Sequence, residues 1–197
     1  AKKQFFDLHA HSWDSYYSVE EIERIRRLIG RCSFREDDVI LEAGCGTGFI
    51  TSILCSIHPG VCIISVDASP LMIEEAVKKN ISGSVTFLCA RAEKLPFENS
   101  SFSSILCFNS FPHFDDKSKV LSEFNRLIIP MGRLFIVHSV SRRKLNEIHA
   151  QCAGVIKNDI MPEPEELEEM LALHGFKLVT IDDGVDFFFS QFLKLVN

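Results

Sequence analysis

Residues Val39 to Gly48 constrain the fold of this chain more than any other stretch. A short β-branched run passes straight into three glycines at alternate positions, Gly44, Gly46 and Gly48, and then into the helical spacing of Thr47–Ile57. Glycine belongs where the backbone turns with positive φ, or where a ligand approaches too closely for a Cβ. Glycines ahead of a helix are expected to leave backbone N–H groups beside its positive end, a place for a pyrophosphate or an amino-acid carboxylate. Spacing separates the two ligands. A dinucleotide fingerprint needs its third glycine where Phe49 stands, and a Walker loop needs a Gly-Lys-Ser/Thr ending that is missing here. Glu42, two residues before the first glycine, would repel a phosphate and suit a ligand carrying an ammonium group.

Around this loop, short apolar runs alternate with helical stretches, the pattern of a parallel sheet with crossover helices. Val39–Leu41, Val61–Val66, Val85–Leu88, Ile105–Phe108 and Leu134–Val137 read as buried strands. Thr47–Ile57, Pro70–Lys79 and Lys117–Ile128 read as the helices between them, and Val19–Ile29 as an amphipathic helix ahead of the first strand. Arg142–Ala153 and Glu163–His174 follow as helices, the second closed by Gly175. Its glutamates read as a solvated face whose early acids suit the helix dipole. Phe176–Ile181 and Val185–Leu195 close the chain as a hairpin over Asp182-Asp183-Gly184, which makes the last strand antiparallel. The expected fold is therefore α/β: a doubly wound, mostly parallel seven-stranded sheet with helices on both faces. One domain is expected over 36–197, preceded by a lid and helix segment over 1–35.

Composition narrows the function. Of 197 residues, 46% are hydrophobic and 24% charged, which fits a globular domain and not a disordered chain. No apolar run reaches a membrane span, and the segment from Ala1 lacks a signal-peptide core, so a soluble cytoplasmic protein is expected. The net charge of -6 and the lack of a basic stripe argue against a nucleic-acid partner. Seven scattered cysteines, none in zinc-ligand spacing, read as reduced and buried, and no metal site is expected.

The second strand ends at Asp67, nineteen residues past Gly48. A carboxylate there accepts both ribose hydroxyls of an adenosine in doubly wound folds. With the glycine loop, Val66-Asp67-x-Ser69-x-x-Met72 and Ala92-Glu93-Lys94-Leu95-Pro96-Phe97 followed by Ser101-Phe102, the chain resembles class I S-adenosylmethionine (SAM) dependent methyltransferases. Within them it is similar to the UbiE-like, type 11 group, over about residues 36 to 138. The resemblance implies SAM as cofactor, with Glu42, Ala43, Gly44, Cys45 and Gly46 around its methionine part and Glu42 near the amino group. It implies Asp67 on the ribose, Ala68 and Met72 flanking adenine, Ala92 and Glu93 at its edge, and Asn109 closing the methionine side. The chain departs from the family pattern at Arg91, where an acid often contacts adenine, at Ser103, and at Ile129-Pro130-Met131-Gly132 before the fifth strand.

A ligand in such a sheet lies beyond the C-terminal strand ends. Asn109–His113 and His138-Ser139 fall there, with His149, Arg142 and Arg143 as further candidates for an acceptor pocket. His113 and His138 are the candidate bases, because imidazole titrates near neutral pH, and His113 leads because it follows the fourth strand. The N-terminal segment holds the only tryptophan, Trp13, and both tyrosines, Tyr16 and Tyr17, and by resemblance it caps the SAM pocket. The expected function is methyl transfer to a small-molecule acceptor. Competing readings are a nucleic-acid or protein methyltransferase, faintly echoed by Asn109-Ser-Phe-Pro112, a non-catalytic SAM-binding protein, and an NAD-dependent oxidoreductase.

Overall fold

In the computed structural model, residues 2–152 and 154–196 are described; Ala1, Ala153 and Asn197 lie outside the described residues. The chain begins with helix α1 (Lys2–His9), a 3-10 segment (Ala10–Tyr16) and helix α2 (Val19–Arg31). Ser18 caps α2 by a reciprocal box: its Oγ accepts the Glu21 N–H, and the Glu21 carboxylate accepts the Ser18 N–H. The sheet then builds through β1 (Val39–Ala43), α3 (Phe49–Ile57), β2 (Cys62–Asp67), α4 (Pro70–Lys78), β3 (Ser84–Cys89) and β4 (Phe102–Phe108). It is completed by α5 (Lys117–Leu127), β5 (Ile128–His138), α6 (Arg142–Gln151), α7 (Pro164–Ala172), β6 (Phe176–Asp183) and β7 (Phe188–Lys194).

Seven strands form one sheet in the order β3-β2-β1-β4-β5-β7-β6. Only β7 runs antiparallel, inserted between β5 and β6. The chain builds outward from β1 to β3, then crosses to β4 and builds the other way. That reversal puts a crevice between the C-terminal ends of β1 and β4, where open α/β sheets bind ligands. Period-two alternation supplies both cores from the same strands. Leu41, Ile105, Leu134 and Ile136 face α5 and α7, while Ile40, Ile63, Leu106 and Phe135 face α2 and α3.

Four local expectations need correction. The first sheet helix starts at Phe49 and not at Thr47, because Gly48 takes the cap position with φ of 73°. The chain passes from α5 into β5 without a loop, so that strand begins at Ile128 and not at Leu134. Ile128 pairs with Phe102, and Met131 at φ of 61° absorbs the register shift before Arg133 meets Ser104. The last turn spans 184–187, with Val185 98% exposed; Arg31 holds Asp182, and Arg142 holds Asp183, at the end of β6. Finally, the cysteines are not all buried: Cys55, Cys62 and Cys152 are half-buried, and Cys89 is exposed on the edge strand β3.

A buried ion pair ties the sheet centre to the segment ahead of β1. The Asp38 carboxylate accepts from the Arg35 N–H, the Ser103 Oγ and the Arg133 guanidinium, and Arg133 also donates to the Ser33 carbonyl. The Asp38 side chain is 5% exposed and that of Arg133 13%. Removing one partner of such a pair leaves an uncompensated charge. Arg133→Met should cost about 3–5 kcal/mol in urea unfolding; a loss under about 1 kcal/mol would show that water replaces the arginine.

Candidate active site

The crevice at the β1/β4 reversal opens into a cavity walled by the glycine loop, the end of β2, the start of α4 and the loop after β4. The loop does not leave its amides free as expected. The Gly44 and Cys45 N–H groups donate to the Val66 carbonyl at 2.8 and 3.0 Å, and the Gly48 N–H donates to the Cys45 carbonyl. The Gly46 N–H donates to Asp67 Oδ2 at 2.9 Å. The glycines are needed for space instead. A Cβ on Gly44 would lie 2.5 Å from Ser110 Cβ, and one on Gly48 3.0 Å from Ala76 Cβ. At Gly46, with φ of 54°, a Cβ would point at Met72 Sδ and Trp13 Nε1, across the cavity itself.

Asp67 closes the floor. Its Oδ1 accepts the Ser69 N–H at 2.8 Å, so each carboxylate oxygen carries one backbone bond and keeps a lone-pair direction for a ligand. Burial raises its pKa against those two amides, with Asp7 adding repulsion. Ala68, Met72, Ala92 and Glu93 continue the wall, as do Cys45 and Asn109. Arg91, standing where the family often has an acid, lies at the rim, tied to Glu93 at 2.6 Å and Asp115 at 3.5 Å. Asn109 adopts φ of 53° and exchanges two hydrogen bonds with Ser139, which pins the loop after β4 to the end of β5.

Several expected residues stand elsewhere. Ala43 and Glu42 are not on the wall. Glu42 points to the α3 side, where Thr51 Oγ1 and Ser65 Oγ donate to its Oε2 at 2.6 and 2.7 Å. Side chains alternate along β1, and Glu42 shares its face with Ile40. Burial pushes its pKa up to about 7. His138 is also off the wall: it is wholly buried with neither ring nitrogen partnered among the described residues, and burial lowers its pKa to about 3. Arg142 is spent on Glu163 and Asp183, and Arg143 is exposed.

His113, on the short 3-10 turn Phe111–His113, does line the cavity. Its Nδ1 lies 2.8 Å from Asp159 Oδ2. Asp159 escaped the sequence reading because it sits alone in an irregular stretch 46 residues later, with no motif to flag it.

The N-terminal segment covers the opening. Trp13 and Tyr17 face the cavity, while Tyr16 is 62% exposed and points away. Tyr17 stacks on Phe49 at 4.4 Å between centroids, and burial pushes its hydroxyl up to about 12. Three latches hold this cover. Lys2 Nζ meets Asp159 at 2.6 Å and Asp115 at 3.1 Å, Asp7 accepts from Ser69 Oγ, and Asp14 accepts from Thr47 Oγ1 and from Lys79. Asp7 and Asp14 thus sit near the positive ends of α4 and α3, where carboxylates are favoured. Among the described residues no three His, Cys, Asp or Glu side chains converge on a metal position.

A doubly wound sheet with a glycine loop, an acid ending β2 and a roofed cavity at the switch point defines a nucleoside-binding α/β protein. A family model described as a methyltransferase domain matches residues 41–136. A malonyl-[acyl-carrier protein] O-methyltransferase of Priestia megaterium is 30% identical over 151 residues, covering 75% of this chain and 54% of that protein. An O-methyltransferase of Aspergillus sclerotiorum is 30% identical over 191 residues, covering 89% of this chain and 70% of its own length. In fold, the chain matches one from the complex of the Haloferax volcanii Trm112 methyltransferase activator with a methyltransferase. The TM-score there is 0.83 at 17% identity, covering 97% of this chain and 98% of that one. The chain belongs to the SAM-dependent methyltransferases, with SAM as cofactor.

Two measurements test the floor of the site. Asp67→Ala should weaken SAM binding about tenfold or more by calorimetry, the loss of roughly 1.5–3 kcal/mol from a charged hydrogen bond; an unchanged dissociation constant in folded protein would place the ribose elsewhere. Glu42 makes the opposite kind of prediction, about stability. Its folded pKa is raised from 4.5 to about 7, so the fold favours its protonated form. Its contribution is therefore full below about 4.5 and is lost as pH rises through about 7, by roughly 3 kcal/mol. Glu42→Gln should remove that loss, so its urea stability gains on wild type between these pH values; parallel curves would contradict it.

Proposed function

We propose that this protein transfers the methyl group of SAM to a small-molecule acceptor held beneath the N-terminal cover. The observation that carries the reading is the partly covered cavity itself: Trp13 and Tyr17 line the crevice at the β1/β4 switch point, with His113 in its wall. A roofed pocket suits a small acceptor better than a polymer strand, and the net charge of -6 offers no grip on a phosphate backbone. The relatives named O-methyltransferases support oxygen as the accepting atom, in one of them on a malonyl group borne by an acyl-carrier protein.

The residues divide the work. Asp67 receives the ribose hydroxyls on its free lone pairs, Ala68 and Met72 flank the adenine, and Ala92 and Glu93 border its edge. Gly44, Cys45 and Gly46 give the methionine part room, and Asn109 closes that side. SAM, when bound, supplies an electrophilic methyl group on a sulfonium. The chain's task is then mainly alignment: the cover excludes water and holds the acceptor in line with that methyl. Glu42 acts from behind the loop, keeping Thr51 and Ser65 in place. Residues 1–35 serve as cover and clasp for the domain over 36–197. No helix among the described residues is long and apolar enough to cross a membrane, and the free thiols fit a reducing cytoplasm.

Radiolabelled SAM incubated with small-molecule extract, nucleic acid and protein fractions decides the acceptor class. Label should enter the small-molecule fraction alone. Incorporation into nucleic acid or protein would overturn the small-acceptor assignment, and binding of SAM with no transfer to any fraction would favour a non-catalytic role.

A further inference from the structure

Asp159 lies between α6 and α7 and is only 4% exposed, yet both of its carboxylate oxygens are committed. Oδ2 meets His113 Nδ1 at 2.8 Å and Oδ1 meets Lys2 Nζ at 2.6 Å. Its backbone is fixed as well: the N–H donates to the Ile156 carbonyl, and the carbonyl accepts from His149 Nδ1. Burial opposes its ionisation, but the hydrogen bonds from His113 and Lys2 outweigh burial and hold its pKa below the ordinary carboxylate value. An ionised carboxylate has no hydrogen to give, so the 2.8 Å contact requires the hydrogen on His113 Nδ1. In a neutral imidazole that leaves Nε2 as the bare lone pair. His113 is part of the cavity wall and Asp159 is not, so the carboxylate holds the ring from outside the cavity.

We propose that Asp159 is a positioning residue that fixes His113 as the Nδ1–H tautomer, presenting a basic Nε2 to an acceptor whose reacting atom arrives protonated, a hydroxyl. The inference rests on the methyl-transfer reading above and adds the chemistry of the acceptor. His113 Nε2 bonds to the hydroxyl proton, and the O–H electron pair stays on oxygen and becomes the new O–C bond. The methyl–sulfur pair withdraws to sulfur, leaving an uncharged thioether. The imidazolium sits against Asp159 until its proton passes to water. Lys2 has a second consequence: because it donates to Oδ1, it dictates which way an amide at position 159 must turn. In Asp159→Asn the amide oxygen faces Lys2 and its NH₂ faces His113, so Nδ1 must become an acceptor and the proton must move to Nε2.

Long-range ¹H–¹⁵N spectra of ¹⁵N-histidine protein, with His113 assigned through His113→Asn, read the tautomer directly. Wild type should show His113 protonated on Nδ1 at high pH, and Asp159→Asn should show it protonated on Nε2. SAM affinity by calorimetry should stay within about threefold, while turnover falls about 10²–10⁴-fold. An Nε2–H tautomer in wild type, or an unchanged tautomer in a folded Asn variant, overturns the proposal. If the variant does not fold, the wild-type spectrum still decides. With labelled SAM and a panel of small phenols, alcohols, carboxylic acids and amines, label should enter hydroxyls. Transfer only into acids or amines, or into none of the panel, counts against the hydroxyl assignment. Failure of the underlying reading shows separately, as wild-type protein that binds no SAM.

Discussion

The site depends on how the end of β2 gathers the loop that leaves β1. Val66 offers one carbonyl to two successive amides, those of Gly44 and Cys45, and the next residue, Asp67, spans Gly46 and Ser69 with its two carboxylate oxygens. These four bonds lock the glycine loop to the start of α4 before any ligand arrives. They also explain why the loop is rich in glycine. Three positive φ values let it fold back on β2, and at Gly44 and Gly48 there is no space for a side chain. Preorganisation of this kind lowers the ordering cost of binding.

The cover is built on the same logic from the other direction. Its acids, Asp7 and Asp14, dock near the starts of α4 and α3, and Lys2 reaches across to Asp115 and Asp159 beside His113. The ion pair that anchors the cover thus shares its acid with the candidate base. The cover carries its ion pairs partly exposed, where each contributes little alone. Ligand contacts with Trp13 and Tyr17 would add to them.

Where local chemistry repeats, the sequence was legible. Alternating apolar runs placed all seven strands, because each strand buries one face or both, and the antiparallel last strand followed from a short last turn, though its insertion between β5 and β6 did not. Gly44, Gly46, Asp67 and Met72 were legible as a set because spacing along the strand–loop–helix unit fixes where they meet. What the sequence did not show is where side chains turn once they meet distant partners. Glu42 read as a ligand contact, but strand alternation turns it toward Thr51 and Ser65. His138 read as a rival base, yet at the end of β5 it is wholly buried and off the cavity wall. Asp159 carried no signal at all, since only the folded chain brings it to His113. The helical character of Lys2–Tyr16 was equally hidden, because its aromatic spacing reads as a cover without stating its form.

The central claim is that SAM binds in the cavity beneath a cover that touches it. Trp13 is the only tryptophan in the chain and lines that cavity, so its fluorescence reports the site without a label. Titration with SAM should change Trp13 emission saturably, with one ligand bound per chain, and the demethylated product should do the same. A titration in which calorimetry shows SAM bound while Trp13 emission stays constant would place the cofactor away from the cover and contradict the account.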